Sequence, residues 1–369
     1  MTFETFELER IQSLYENTVQ YNLTESGIHP YTTKEFLSEA EIDTMLNLRL
    51  GYGQTNGAIE LREAISQYYP SAGIDNILAT NGSAEANFTF ASSNIRPGDE
   101  IVVMLPNYMQ IWGIARNLGA LVKPFYLKED LNWSPDLDEL KRMVSPQTKL
   151  ICLCNPNNPT GAILSANAMD AIVEIAKSSK AMLHVDEIYR GAELDGEETP
   201  TLYGLYDKVI ISMSLSKSYS LPGLRLGWLI GPEALIQEAW AYHDYTSIAP
   251  TIISQYIATQ VMQPERRKKV LSRGRRMLKD NLVVFQQWID SHKDLFKFIP
   301  PRAGGMAFVQ YNLDINSTVF SDMLRTQKSV FIIPGDCFGM DHYLRIGIGG
   351  EKKHLLAGLK LIDEMLAEL

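Results

Sequence analysis

Apolar runs of strand length alternate with stretches of helical period along the first two thirds of the chain. Ile77–Thr80, Glu100–Met104, Leu121–Phe125, Lys149–Leu153, Ala181–Val185, Val209–Met213 and Gly227–Ile230 are rich in Ile, Val, Leu and Met and bounded by Gly, Pro, Asn or Asp. They predict short strands buried on both faces. Between them Ser83–Asn94, Tyr108–Asn117, Pro135–Met143 and Asn167–Ser178 carry the spacing of helices. This alternation predicts an α/β fold, a mostly parallel central sheet sandwiched by helices. After Pro264 the pattern changes to a long polar helix up to Ser291, then strands at Phe296–Ile299, Met306–Tyr311, Val330–Ile333 and Tyr343–Gly347, a helix at Ser317–Gln327 and a closing helix from Glu351. The predicted organisation is an N-terminal arm (1–46) packing on the smaller part, a large domain (47–263) and a smaller C-terminal α+β domain (264–369).

Composition narrows the function. With 34 Lys and Arg against 44 Asp and Glu, the net charge is −10, a poor match to nucleic acid or an anionic membrane. The basic run Arg266 to Arg276 reads as a solvated helix face, with Val270, Leu271, Met277 and Leu278 on the buried side. Cys152, Cys154 and Cys337 form no disulfide or zinc pattern, and the six histidines show no ligand spacing, so no metal is expected. The acidic start lacks the basic and apolar regions of a signal peptide, and no apolar run approaches the roughly 18 residues needed to span a bilayer. A cytoplasmic location is expected.

Candidate chemistry sits where strands end. Ser214-Leu-Ser-Lys-Ser-Tyr-Ser-Leu-Pro-Gly-Leu-Arg225 places Lys217 just past a buried strand, where desolvation and a neighbouring cation would depress its pKa. Ser214, Ser216 and Arg225 can together hold a phosphate. Asn155-Pro-Asn-Asn-Pro-Thr-Gly161 and His184-Val-Asp-Glu-Ile-Tyr189 each follow a strand and fall at the carboxyl edge of the sheet, where open α/β folds bind ligands. Taken singly, the first is also a plain turn cluster, and Asp186 also a capping residue. Thr80-Asn-Gly-Ser-Ala-Glu-Ala86 joins a strand to a helix start, so Gly82, Ser83 and Ala84 offer amides and a hydroxyl to an anion.

Together these segments resemble the class I/II aminotransferases, enzymes of fold type I that use pyridoxal 5′-phosphate. The similarity runs from about Gly27 to Gly347, and the lysine motif and the Asn-Pro-Asn-Asn-Pro-Thr-Gly turn are its most specific parts. The resemblance implies that Lys217 holds the cofactor as a Schiff base and acts as the base at the substrate α-carbon. It implies that Asp186 pairs with the pyridine nitrogen, and that Asn155 and Tyr189 hydrogen-bond the phenolic oxygen. Tyr108, in Pro106-Asn-Tyr108, would stack on the ring or else be a core aromatic. Gly82, Ser83, Ala84, Ser214, Ser216 and Arg225 would hold the phosphate, joined by Tyr52 of Leu50-Gly-Tyr-Gly from the neighbouring subunit of a homodimer. Arg345, in Tyr343-Leu-Arg-Ile-Gly347, would grip the substrate α-carboxylate beneath a loop containing Gly27, or else form a structural ion pair.

The implied reaction is ping-pong transfer of an amino group between an L-amino acid and a 2-oxo acid. The same scaffold also hosts lyases and cyclases, capreomycidine synthase-like enzymes among them, so elimination or cyclisation on an amino acid is the alternative. From Leu229 to Glu265 there is no Lys or Arg. A non-acidic substrate side chain is therefore expected, with Glu25 or Asp244 as candidate groups to face a cation. A transcriptional regulator is not expected, because the segment before Asn47 is short, starts acidic and carries no helix-turn-helix pattern.

Overall fold

The structure is a computed structural model and describes residues 3–369. Its strands, in chain order, are β1 (Tyr21–Asn22), β2 (Ile77–Thr80), β3 (Glu100–Leu105), β4 (Leu121–Lys128), β5 (Ser134–Pro135), β6 (Thr148–Cys154), β7 (Met182–Asp186), β8 (Val209–Ser214), β9 (Gly227–Ile230), β10 (Phe296–Phe298), β11 (Met306–Tyr311), β12 (Val330–Phe331), β13 (Ile333–Pro334) and β14 (Tyr343–Gly347). Eight form a sheet in the order β2-β9-β8-β7-β6-β3-β4-β5. Neighbours from β8 through β4 pair in parallel, whereas β9 runs antiparallel to both β2 and β8. β2, β8 and β9 are buried at every position, and β6 and β7 at all but one. That is why these strands read as continuous apolar runs with no alternation. The sheet's two faces pack into separate apolar clusters, one around Val102, Ile151 and Val185 and the other around Phe90, Ile101 and Val103.

The parallel strands aim their carboxyl ends at one edge. The loops after β2, β3, β6, β7 and β8 therefore converge there, and antiparallel β9 begins at the same edge, bringing Arg225 to it. The helix Ser83–Asn94 starts at this edge with Gly82 as its N-cap residue at φ +85°, a backbone conformation that favours glycine.

A second, antiparallel sheet has the order β10-β11-β14-β13 and packs through Phe285, Trp288, Val309 and Phe320. Short β1 pairs in parallel with β12, so the N-terminal segment is stitched to the C-terminal one. Two expected elements change form. Val330–Ile333 is not one strand: β12 pairs with β1 and β13 with β14. The helix expected from Pro135 begins at Leu137, because Asp136 caps it, accepting from the amides of Asp138 and Glu139. The basic helix Pro264–Ser291 is laced to carboxylates: Arg266 to Glu41, Arg267 to Glu198 and Arg275 to Glu193. Val270, Leu271 and Leu278 are buried, whereas Met277 is only partly so.

Candidate active site

The loops at the sheet edge, the strand β14 and the helix Glu7–Tyr15 enclose a cavity of about 360 Å³. Ser83, Ala84, Tyr108, Asp186, Tyr189, Ser216, Lys217, Arg225 and Arg345 all border it. Residues from 83 to 345 in the chain thus meet in one place.

One end suits an anion. The free amides at the start of the Ser83–Asn94 helix point there, next to the Ser216 hydroxyl and the Arg225 guanidinium, whose Nη1 donates to Ser216 Oγ at 3.3 Å. A Cβ added to Gly82 would sit 2.6 Å from Arg225 Nη2, so the glycine keeps this cradle open. Ser214 does not border the cavity; it is fully buried, and its Oγ accepts from the Ser216 amide.

Toward the sheet lies Asp186, the last residue of β7. Burial pushes its carboxyl up to about 6, opposed by hydrogen bonds from the Ile188 amide and from Asn87 Nδ2. A buried carboxylate with no cation in contact suits a protonated ring nitrogen. Tyr189 donates to Ser26 Oγ at 2.8 Å, and burial raises its phenol. Tyr108 borders the void, packs edge-on against Phe6 at 5.0 Å and donates to Glu9.

Lys217 differs from expectation in its partner. Its Nζ lies 3.3 Å from Glu25 Oε2, a carboxylate rather than the expected cation. Arg225, the expected neighbour, is turned to Ser216 and the Pro222 carbonyl.

Asn155 needs correction. Its Oδ1 accepts from the Leu164 amide and its Nδ2 faces Met169 Sδ, so the side chain is spent on holding its own loop. The asparagine that borders the cavity is Asn158, the third of the same turn, and its Oδ1 accepts from Arg345 Nη1 at 3.0 Å. Sequence reading picked the residue adjoining the strand; the turn rotates the later one inward. Arg345 also donates to the Thr24 carbonyl at 2.8 Å, and its Nε has no hydrogen-bond partner among the described residues. Gly27 is buried beside the site, with Lys217 Cδ 3.2 Å from where a Cβ would stand.

Tyr52 and Asp244 stand apart from this cavity. Tyr52 is 89 % exposed, and Asp244 is an exposed residue closing the helix Glu233–His243. What sequence reading missed is the roof: Glu9, Gln12 and Glu16 face the cavity from the helix Glu7–Tyr15 and the residue that follows it. Gln12 ties that roof to the Thr24 hydroxyl at 3.0 Å. The i, i+3, i+7 spacing of these polar residues was the available signal. Among the described residues there is no group of three or more His, Cys, Asp or Glu that could hold a metal ion, and no helix is long and apolar enough to cross a membrane.

The comparisons agree with this geometry. The family model described as "Aminotransferase class I and II" matches residues 22–362. The chain is 27% identical to a capreomycidine synthase of Streptomyces vinaceus, over 94% of this chain and 89% of that one. It is 26% identical to an aspartate aminotransferase of Pyrococcus horikoshii, with 89% of each chain covered. A PLP-dependent aminotransferase from Streptococcus suis superposes with a TM-score of 0.94 at 31% identity, covering 100% of this chain and 99% of that one. The chain belongs to the class I and II aminotransferase family and has its fold type I architecture. It is an aminotransferase-type enzyme whose cofactor is pyridoxal 5′-phosphate.

Proposed function

We propose that this enzyme transfers the amino group of an L-amino acid to a 2-oxo acid in a ping-pong cycle centred on Lys217. One observation carries the reading: an anion cradle, a buried carboxylate, a lysine and a buried arginine border a single cavity. Arg225, Ser216 and the amides of Ser83 and Ala84 hold the cofactor phosphate, with Gly82 leaving room and Ser214 bracing Ser216. Asp186 keeps a proton on the ring nitrogen, Tyr189 and Asn158 orient the ring oxygen, and Tyr108 lies against the ring. When bound, pyridoxal 5′-phosphate supplies the electron sink that acidifies the substrate Cα–H bond. Arg345 grips the α-carboxylate, and its unpartnered Nε is a donor still free for it. Lys217 Nζ takes the proton from Cα and would return it to the carbon on the far side of the substrate nitrogen, two atoms along. The loop at Gly27 and the roof helix exclude water from that transfer.

Exposed Tyr52, with exposed Leu50, Tyr245 and Ile248, supports a homodimer in which Tyr52 reaches the phosphate of the partner subunit. The gathering of β2 to β9 in one sheet and of β10, β11, β13 and β14 in another supports a large domain at 47–263 and a small one at 264–369, with 1–46 as an arm. Three unpaired cysteines suit a reducing cytoplasm.

The test is to add single amino acids to the purified enzyme without any 2-oxo acid. Conversion of the cofactor absorbance from its carbonyl to its amine form, with one equivalent of oxo acid released, supports transamination. Ammonia or a cyclised amino acid would instead support a lyase or cyclase, the second reading, which the capreomycidine synthase likeness favours. Absence of cofactor absorbance would overturn both.

A further inference from the structure

The charges around the cavity do not balance once the proposed roles are filled, and this inference rests on those roles. Arg225 is committed to a phosphate, Arg345 to a carboxylate, and Asp186 to a ring nitrogen. Lys217, the sole ion-pair partner of Glu25 among the described residues, is committed to the cofactor. Three carboxylates then remain on the cavity wall: Glu9 and Glu16 on the roof and Glu25 below them. Glu9 and Glu16 are seven residues apart, two helical turns on one face, about 10 Å along the axis. Glu9 accepts from Tyr108, whereas no hydrogen bond or ion pair engages the Glu16 carboxylate among the described residues. Arg345, 2 % exposed, borders the same void, with its Nη2 on the carbonyl of Thr24, the neighbour of Glu25, and its Nε without a hydrogen-bond partner among the described residues. With the proposed roles filled, the cavity wall thus offers one arginine to a carboxylate and three carboxylates with no remaining cation, a charge excess that a ligand carrying both a carboxylate and a cation would balance.

We propose that the amino donor is an L-amino acid whose side chain ends in a cation, a guanidinium or an ammonium, received by Glu16 and Glu9 under the roof helix with Glu25 beside them. The three carboxylates are not arranged as a metal cluster. They are spread along a wall, which suits a delocalised or flexible organic cation better than a point ion. Burial and the neighbouring charges of Glu25 and Glu9 raise the Glu16 carboxyl, so the ligand-free site carries a like-charge repulsion that an incoming cation relieves. A side-chain carboxylate in the same place would add to that repulsion.

Non-reacting carboxylic acids test this without turnover. Calorimetric titration of the purified enzyme with 5-guanidinopentanoate, hexanoate and glutarate compares a cationic, a neutral and an anionic end on similar chains. The guanidino acid is expected to bind about tenfold or more tightly than hexanoate, the gain of a charge-assisted contact. Glutarate is expected to bind weakest. Glu16→Gln should erase most of the guanidino preference and leave hexanoate affinity unchanged, which also reports that the variant is folded. Equal affinities, or glutarate binding best, would overturn the proposal. Its failure is separable from that of the enzymatic reading. An enzyme that shows cofactor absorbance and converts neutral or acidic amino acids as fast as L-arginine and L-lysine remains an aminotransferase, but not one of this specificity.

Discussion

Nζ of Lys217 and Oε2 of Glu25 lie 3.3 Å apart across the mouth of the cavity, residues 192 positions distant in sequence. The lysine on the sheet edge is thereby held by the N-terminal segment, and the lysine's charge keeps the Glu25 carboxyl below its usual range. Lys217→Arg separates the two roles of this side chain. The guanidinium can keep an ion pair with Glu25 but cannot release a proton near neutral pH. Amino-group transfer is expected to fall by about a thousandfold or more, while circular dichroism shows an intact fold. Activity within tenfold of the parent would remove Lys217 from the mechanism.

Arg345 is buried and already donates to Asn158 and to the Thr24 carbonyl. Arg345→Lys keeps the charge and loses the fork. The expected result is KM for the amino acid rising about ten- to a hundredfold, from roughly 1.5–3 kcal/mol of charge-assisted bonding. Steady-state kinetics with the cofactor saturating reads this out. An unchanged KM would leave Arg345 as a purely structural tie.

Gly227 begins β9 against the phosphate cradle. A Cβ there would lie 2.6 Å from both the Gly82 carbonyl carbon and the Ser83 nitrogen. These are backbone atoms that no rotamer change can move. Gly227→Ala should therefore push the cradle out of place and weaken cofactor retention by at least about tenfold, a loss of roughly 1.4 kcal/mol. Dialysis followed by cofactor absorbance measures it.

Asp186 gives a pH signature in the cofactor-free protein. Its carboxyl is raised to about 6 in the folded chain from the 3.8 of an ordinary aspartate, so the folded state holds the proton more tightly than the unfolded one. Stability from this group is full below pH 4, falls as pH rises toward 6, and levels off above it. Asp186→Asn removes that dependence. The cofactor-free variant should gain stability relative to the parent as pH rises from 4.5 to 7.5, by at most about 3 kcal/mol. Its affinity for pyridoxal 5′-phosphate should fall. Thermal melts across this range check the first, and cofactor titration the second. A pH-independent difference in melting would sink the assignment.

Most of the large sheet was legible because strands such as β2, β8 and β9 are buried at every position, leaving uninterrupted apolar runs such as Ile77–Thr80, found as read, whereas β4, expected to be buried on both faces, is mostly half-exposed. Strand ends then gave the positions of Lys217, Asp186 and Tyr189. Side-chain direction within a turn was not legible. Asn155 and Asn158 have the same chemistry three residues apart, and only the path of the loop decides which faces the cavity. The roof was missed for a different reason. Glu9, Gln12 and Glu16 look like the wet side of an amphipathic helix, and a solvent-filled cavity places the same demand on sequence as bulk water does. The split at Ile332 was likewise invisible, because both halves are buried and differ only in which strand they meet.

The parallel pairing of β1 with β12 joins Tyr21 to Val330, about three hundred positions apart in the chain. On a ribosome the segment that carries Glu16 and Glu25 has no strand to pair with until β12 has followed it. Pairings so distant in sequence carry a large loop-closure cost. The large sheet, complete by Ile230, can therefore form well before the cavity is roofed. A nascent chain cut short before β12 would own a sheet edge bearing Lys217 and Asp186 but no lid over it, and full protection of the reacting groups from water arrives only once β12 has been made.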